Sequence, residues 1–167
     1  GAKVTIMGRR ESLLKEQKLS YQICDVTDEK NVGFAFDAAR DENGPIWGVV
    51  ANAGAATSLP FKKADQAHLE SMLAVNLIGV SNSFRAGLSD MLEINSGRMV
   101  GIASTSGLKG YAYASAYAAA KHGVIGLVRS LAIELAPKGI TVNAICPGYV
   151  ETPLLDRSIE NITNKSS

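Results

Sequence analysis

Tyr117 and Lys121 are the residues of this chain whose types and spacing best fit proton-transfer chemistry. They lie four positions apart at the end of a segment that reads S-T-S-G-L-K-G-Y-A-Y-A-S-A-Y-A-A-A-K. A helix places residues four apart on one face, so the phenol and the ammonium are expected to be neighbours. A free tyrosine has a pKa of about 10 and is a poor acid at neutral pH. Because a nearby cation favours the phenolate, we expect Lys121 to lower the Tyr117 pKa towards the range useful for acid–base catalysis.

This pair alone does not establish a catalytic site. The chain contains five tyrosines and ten lysines, so two unrelated residues on one helix are an equally simple interpretation. The two interpretations differ in whether the surrounding elements bring other polar residues to the same place.

The hydrophobic pattern predicts five strands that alternate with helices. Apolar runs predict strands at 3–7, 19–24, 46–51, 98–103 and 140–145, and helical spacing predicts helices at 11–18, 29–42, 64–94 and 115–136. Alternation without hairpin signals is typical of a parallel, doubly wound α/β sheet. The unbroken apolar run from Ile46 to Ala51 further predicts a strand that is covered on both faces.

Polar and glycine-containing groups follow the carboxyl ends of the predicted strands. These groups are Gly8-Arg9, Asp25, Asn52, Ser104 and Pro147-Gly148. In doubly wound sheets the ligand crevice lies beyond the carboxyl ends of the strands. The sequence therefore predicts a nucleotide-sized site at this edge of the sheet.

Six motifs in this order resemble a known family. They are Asn52-Ala53-Gly54, Asn76, Ser104, Tyr117 with Lys121, Pro147-Gly148, and the Tyr-Val-Glu-Thr run at 149–152. The chain resembles the single-domain branch of the short-chain dehydrogenase/reductase superfamily, in particular its ketoacyl and polyketide ketoreductases. The likeness runs from Gly1 to about Leu155. It implies one Rossmann-like, three-layer α/β/α domain over residues 1–167 that lacks the family's first strand, its glycine-rich phosphate loop and its C-terminal elements.

The resemblance implies an oxidoreductase that transfers a hydride between NADP(H) and a ketone or secondary alcohol. Tyr117 would donate or accept the proton, and Lys121 would lower its pKa and bind the nicotinamide ribose. Ser104 would hold the substrate oxygen, where negative charge develops. Asn76 would anchor a water that relays protons from Lys121. For Asn76 the alternative is a helix-interior asparagine that bonds only to local backbone.

The resemblance also implies a set of cofactor contacts. Asp25 would accept a hydrogen bond from the adenine amino group, and Val26 would contribute its backbone. The turn Asn52-Ala53-Gly54 would pass close to the cofactor, although a simple turn with a positive φ at Gly54 is the alternative. The segment that starts at Pro147 and Gly148 would follow the nicotinamide half, where Val150 and Thr152 would contact the carboxamide and phosphate side.

The end of the first predicted strand bears on the choice of nicotinamide cofactor. NAD enzymes place an acidic residue there for the ribose diol. This chain has Gly8, Arg9 and Arg10, with no acid before Glu11. A guanidinium suits a 2′-phosphate, so we expect NADP(H) to be preferred and NAD(H) to remain possible. Arg9 is the expected contact, and a solvated surface arginine is the alternative.

Composition narrows the range of partners. The net charge is +1 with no basic stripe, which does not favour nucleic acid or an anionic membrane as a partner. Cys24 and Cys146 have no metal-type spacing, and no metal site is expected. The absence of a signal peptide and of a long apolar run leads us to expect a cytoplasmic protein.

The segment at 115–136 is apolar or small on nearly all sides, so this helix is expected to be buried on more than one side. The family resemblance implies that it and the long helix before it pair with their copies in a homodimer or homotetramer. Burial of this helix within one subunit is the alternative. Two other functions are compatible with part of this pattern. One is a dinucleotide sensor without catalysis, and the other is a sugar-nucleotide epimerase, which shares the Tyr-x-x-x-Lys motif. Tyr117, Lys121, Ser104 and Asn76 together argue against the sensor, and the Asn-Ala-Gly turn argues against the epimerase.

One expectation concerns the strand of the family pattern that this sequence lacks. The absent strand would lie between the strands at 3–7 and 46–51, so the 167 residues alone are expected to fold badly or to bind NADP(H) poorly. The sequence does not identify the substrate. Leu108, Tyr111, Tyr149 and Leu154 are candidates for an apolar pocket.

Overall fold

The computed structural model describes residues 1–148 and residue 150. Within this part the strands are β1 (Thr5–Gly8), β2 (Ser20–Ile23), β3 (Gly48–Ala51), β4 (Gly97–Ile102) and β5 (Ile140–Ile145). The α-helices are α1 (Glu11–Glu16), α2 (Glu29–Asn43), α3 (Gln66–Leu73), α4 (Gly79–Glu93) and α5 (Ser115–Leu135). The predicted alternation of strands and helices is confirmed, with strand ends shifted by one or two residues.

All strand pairs are parallel, and they form two separate sheets. β1 pairs with β2, and β3, β4 and β5 form a second sheet in that order. Within the described residues no ladder of hydrogen bonds joins β1 to β3. This agrees with the expectation that a strand of the family fold is absent between β1 and β3. The fold is a Rossmann-like α/β arrangement, as predicted.

One face of the three-stranded sheet holds the main core. Val49, Met99 and Val142 lie side by side in register on this face and are at most 6% exposed. They pack with buried residues of α2, α4 and α5, such as Phe36, Phe84, Val124 and Val128.

The prediction that the strand at 46–51 is covered on both faces is wrong. Val50 is 66% exposed, because the helices that pack on β3 in the described part of the chain lie on the side of Val49. In β3, apolar residues on both faces of the strand therefore did not mean that both faces are buried.

Local sequence accounts for the ends of several helices. Asp28 caps α2 by accepting from the backbone N–H groups of Lys30 and Asn31. Gly44 follows α2 at φ 86°, and Gly139 ends the turn after α5 at φ 67°. A Cβ at Gly139 would lie 2.3 Å from the carbonyl oxygen of Asn95, so both backbone conformation and close approach require glycine at this position.

The tract predicted as one helix over 64–94 is interrupted. A π turn at Ala74–Ile78 separates α3 from α4, and it contains Asn76. Single π turns inside helices are frequent at functional sites because they displace one side chain from the regular spiral. The interruption therefore sets the position of one of the predicted catalytic residues.

A half-buried ion pair joins α2 to α4. Arg40 Nε lies 2.8 Å from one oxygen of Asp90 and 3.0 Å from the other, and the same carboxylate accepts the Ile46 backbone N–H at 2.9 Å. Arg40 also donates to the carbonyl of Ala86. Arg40→Met leaves Asp90 without its cation, so we expect a loss of about 3 kcal/mol in the free energy of unfolding, measured by urea titration.

Arg85→Met is the matched control for this prediction. Arg85 pairs with Glu29 at 3.9 Å, and both side chains are about 70% exposed. Exposed pairs of this kind contribute little, so the control is expected to change stability by less than about 0.5 kcal/mol. Equal effects of the two substitutions would contradict a special role for the Arg40–Asp90 pair.

Candidate active site

The amino-terminal half of α5 brings Tyr117 and Lys121 together, as their spacing predicted. The Lys121 ammonium nitrogen lies 5.6 Å from the centroid of the Tyr117 ring. Lys121 is only 3% exposed, and its Nζ donates to the carbonyl of Ile102 at 2.7 Å. The lysine is thus held against the end of β4, beside the tyrosine ring.

The expected lowering of the Tyr117 pKa is wrong for this arrangement of side chains. Burial raises the pKa of Tyr117, and hydrogen bonding with Ser104 offsets part of that rise. Burial also lowers the pKa of Lys121 to about 8. The sequence did not reveal this effect, because removal of water from both groups depends on how the helix packs against β4.

Ser104 follows β4 directly and begins the short turn at Thr105–Gly107. Its hydroxyl oxygen accepts from the Ser106 N–H at 3.1 Å, which fixes the side chain at the start of the turn. A Cβ at Gly107 would lie 2.7 Å from the Lys121 carbonyl oxygen, so this turn is packed against the backbone of α5. The Ser104 side chain also forms a hydrogen bond with Tyr117, so the two residues lie together as expected.

Asn76 is fully buried and joins the π turn to the loop after β3. Its amide exchanges two hydrogen bonds with the backbone of Ala55, at 3.1 and 2.8 Å, and also donates to the Met72 carbonyl at 3.0 Å. The bond to Met72 is the local one that the simpler interpretation of Asn76 predicted. The pair of bonds to Ala55 is long-range and places Asn76 in the site.

Gly54 lies close to two of the predicted catalytic residues. A Cβ at this position would be 3.1 Å from Asn76 Oδ1 and 3.8 Å from Lys121 Nζ. The alternative of a turn with positive φ is wrong, since Gly54 is not among the glycines with positive φ in the described chain. Close approach is the reason for glycine here. Its neighbours Asn52 and Ala53 are exposed, at the carboxyl end of β3.

The loop after β5 reaches the same place. The Thr105 N–H donates to the carbonyl of Pro147 at 2.9 Å, which ties this loop to the Ser104 turn. Apart from its chain neighbours, no described residue comes within 4 Å of the position that a Cβ at Gly148 would take. Val150 is 55% exposed, and Thr152 lies outside the described residues, so their cofactor contacts stay predictions.

Arg9, Asp25 and Val26 form a second group at the ends of β1 and β2. Arg9 Nη1 lies 3.8 Å from Asp25 Oδ2, and both side chains are substantially exposed. Asp25 Oδ1 accepts from the backbone N–H and the hydroxyl of Thr27, and these bonds lower the pKa of Asp25. The carboxylate therefore remains ionised and able to accept a further hydrogen bond.

Two residues that support the site were not predicted from the sequence, and a third, Tyr111, was expected only as part of an apolar pocket. Gly79 and Asn82 of α4 contact Val26, and Tyr111 donates from its hydroxyl to the Thr105 hydroxyl at 3.1 Å. A glycine and an asparagine inside a predicted helix were the available signal for the first two, because neither favours a helix interior.

One surface cavity formed by the described residues is separate from this site. It measures about 330 Å³, lies between α5 and β5, and is lined by residues that include Leu108, Ile125, Val142 and Cys146. No predicted catalytic residue lines it. Of the four residues expected to form an apolar pocket, Leu108 lines this cavity and Tyr111 does not. Tyr149 and Leu154 lie outside the described residues, so that pocket stays a prediction.

The described residues form neither a metal-binding cluster nor a membrane-spanning helix. No group of three or more histidine, cysteine or acidic residues in this part of the chain is arranged to hold a metal ion. None of the described helices is long and apolar enough to cross a membrane. Cys24 and Cys146 are both free thiols.

The comparisons with known proteins agree with this geometry. The family described as short chain dehydrogenase matches residues 1–163. The acetoacetyl-CoA reductase of Synechocystis is 38% identical over 86% of this chain and 60% of its own length. A putative ketoacyl reductase of Streptomyces coelicolor is 41% identical over 78% of this chain and 51% of its own length. The chain belongs to the short-chain dehydrogenase family.

Solved structures give the same result. The crystal structure of levodione reductase superimposes with a TM-score of 0.94 at 32% identity, covering 99% of this chain and 69% of that one. An actinorhodin polyketide ketoreductase crystallised with NADPH superimposes at 0.90 and 33% identity, covering 98% and 67%. The chain spans about three fifths of the length of the Synechocystis reductase and about half of the length of the Streptomyces coelicolor reductase.

The residues present fit a nicotinamide dinucleotide. Glycine at position 54 keeps the space beside Asn76 and Lys121 free of a side chain. The Arg9–Asp25 pair lies at the ends of β1 and β2, where a cation and an acceptor would meet a phosphorylated ribose and an adenine amino group.

Proposed function

We propose that this protein is an NADP(H)-dependent reductase of ketones and a dehydrogenase of the corresponding secondary alcohols. The observation that carries the proposal is the convergence of Tyr117, Lys121, Ser104 and Asn76. Lys121 lies against the Tyr117 ring, and both its ammonium and the Asn76 amide oxygen lie close to the space that a side chain at Gly54 would fill. The small-molecule carbonyl compound is the proposed partner. A homodimer or homotetramer packed through α4 and α5 belongs to the same proposal.

NADPH supplies the hydride to the carbonyl carbon, and the chain supplies the proton and the charge stabilisation. Tyr117 protonates the carbonyl oxygen as the alcohol forms, which balances the hydride gained at carbon. Its raised pKa keeps the phenol protonated and able to donate at neutral pH. The Ser104 hydroxyl donates to the same oxygen as negative charge develops on it.

Lys121 and Asn76 restore the proton on Tyr117. With a pKa of about 8, Lys121 exchanges protons more readily near neutral pH than an ordinary lysine. Asn76 Oδ1 and the Lys121 ammonium both lie close to the space beside Gly54. Together they would offer a polar path from the tyrosine towards the loop after β3. This path is the proposed proton relay.

Relatives and local charge support NADP(H) over NAD(H). Two proteins of similar structure, an actinorhodin polyketide ketoreductase and ElxO, hold NADPH and NADP respectively. In this chain Arg9 lies at the carboxyl end of β1, and its guanidinium is 72% exposed and accessible to a 2′-phosphate.

Arg9→Leu tests this cofactor preference. The substitution is expected to raise the KM for NADPH about 10- to 100-fold and to leave the KM for NADH within about twofold, because only NADPH carries the 2′-phosphate. Initial rates are measured with both cofactors in the protein at its full natural length. Arg10→Leu is the matched control and is expected to have little effect on either constant. Equal losses with both cofactors would contradict a phosphate contact at Arg9.

The activity itself is tested by a screen of NADPH oxidation. The protein at its full natural length is offered cyclic ketones, β-ketoacyl thioesters and keto sugars, and the fall in absorbance of NADPH is recorded. Turnover of at least one ketone class is the expected result. Tight NADPH binding with no turnover of any carbonyl compound would instead favour a dinucleotide-binding protein without catalysis.

A further inference from the structure

Asn82 is a buried polar side chain that the catalytic set does not use. It lies on α4 and is 9% exposed. Its Nδ2 donates to the carbonyl oxygen of Val26 at 2.9 Å, across 56 positions of the sequence. A buried amide of this kind is costly unless it is hydrogen-bonded, so the bond fixes α4 and the loop after β2 relative to each other.

Gly79 brings the backbone of α4 against the side chain of the same residue. A Cβ at position 79 would lie 2.6 Å from Val26 Cγ2 and 3.0 Å from its Cβ. Val26 is therefore held at two points by one helix: Asn82 holds its carbonyl, and the bare backbone at Gly79 limits its side chain.

The other polar contacts of this loop run to different elements. The Asp25 N–H donates to the Asn31 side chain of α2 at 2.6 Å, and the Asp25 carboxylate accepts from Thr27 inside the loop. Arg9 approaches Asp25 from β1. Among the hydrogen bonds that residues 25–27 form in the described part of the chain, the one from Asn82 is the link to α4.

We infer that Asn82 is a positioning residue for the adenine end of the dinucleotide site, acting through the backbone of Val26 and the adjoining Asp25. The inference rests on the proposed function. Because α4 begins directly after the π turn that carries Asn76, this single stretch of helix holds the loop at the adenine end and the loop at the catalytic end. Asn82 thereby sets the spacing between the two halves of the site.

The test measures binding of a fragment that reaches only the adenine end. Adenosine 2′,5′-bisphosphate and NADPH are titrated by calorimetry into the full-length protein and into Asn82→Leu, which keeps the side-chain volume and removes the donor. Both dissociation constants are expected to rise about tenfold, because the Val26 carbonyl loses its partner and the loop shifts. The KM for NADPH is expected to rise by the same factor, and kcat at saturating NADPH much less.

Ser83→Ala is the matched control. Ser83 is the next residue on α4, is similarly buried, and donates to the Gly79 carbonyl within its own helix at 2.8 Å. Its loss is expected to leave both dissociation constants unchanged. Equal weakening by Ser83→Ala and Asn82→Leu would overturn the inference in favour of a general effect of α4 packing.

A second variant decides the matter if Asn82→Leu fails to fold. Gly79→Ala raises helix propensity, yet it pushes on Val26, so it is expected to weaken the adenosine bisphosphate about tenfold as well. Unchanged binding of the fragment in a folded variant overturns the role of Asn82 and leaves the proposed function intact. Failure of the unsubstituted protein to bind either molecule overturns the proposed function and the inference together.

Discussion

Replacing Tyr117 with phenylalanine is expected to lower kcat for ketone reduction about 10³-fold, because the substitution removes the proton donor and little else. The Tyr117 ring contributes its contact with the Lys121 ammonium, and phenylalanine retains the ring. The dissociation constant for NADPH is therefore expected to stay within about threefold of the original. Single-turnover kinetics and calorimetric titration in the full-length protein measure the two quantities.

Tyr113→Phe is the control for loss of a phenol in the same segment. Tyr113 lies four residues before Tyr117, is 46% exposed, and has no place in the proposed proton path. Its substitution is expected to leave kcat within about threefold. A Tyr117→Phe protein with undiminished turnover would exclude this phenol as the proton donor and would require another donor near Ser104.

The features of the site that were predictable from sequence are those set by local geometry. Tyr117 and Lys121 meet because residues four apart on a helix always share a face. The positions of Asn52, Ser104 and Pro147 at one edge follow from the parallel strands before them, whose carboxyl ends point the same way. In both cases a short stretch of chain determines the outcome, and β5 was predicted over the same residues that the structure shows.

The features that could not be predicted depend on contacts between distant segments. The π turn at Ala74–Ile78 contains Asn76, whose amide bonds to Ala55 reach across 21 positions. No periodicity in the segment at 64–94 indicates that reach. Similarly, the glycine at position 54 reflects the proximity of Asn76 and Lys121 and not a backbone angle.

The direction of the Tyr117 pKa shift was mispredicted for the same reason. Sequence spacing revealed the cation but not the burial of both groups, and burial raises the pKa of the phenol while it lowers that of the lysine. A helix face known only from its own sequence does not indicate what covers it. Desolvation is therefore the electrostatic contribution that a sequence alone conceals most completely.

Lys121→Met is expected to lower kcat by about 10²-fold or more, because the proton on Tyr117 is then no longer replenished by a buried amine. Its effect on stability is expected to depend on pH. The Lys121 pKa is about 8 in the folded protein, against an ordinary lysine value of 10.5 in the unfolded chain. Below pH 8 the folded protein keeps a buried positive charge that costs it on the order of 3 kcal/mol.

The sign of this pH dependence follows from which state binds more protons. Between about pH 8 and 10.5 the unfolded chain holds the Lys121 proton and the folded protein has released it, so the free energy of unfolding rises with pH. Methionine has no proton to release. The stability of Lys121→Met relative to the unsubstituted protein is therefore expected to fall by about 2 kcal/mol between pH 7 and pH 10, measured by urea titration at each pH.

Lys138→Met, at an exposed position after α5, controls for loss of a surface charge and is expected to show no such pH-dependent difference. The hydrogen bond from Lys121 to the Ile102 carbonyl shifts the absolute stability of the variant, so the trend with pH is the informative measurement. A flat difference across this range would mean that Lys121 keeps its proton in the folded protein. In that case the residue would act as a fixed cation beside Tyr117, and the proposed relay through its amine would have to be abandoned.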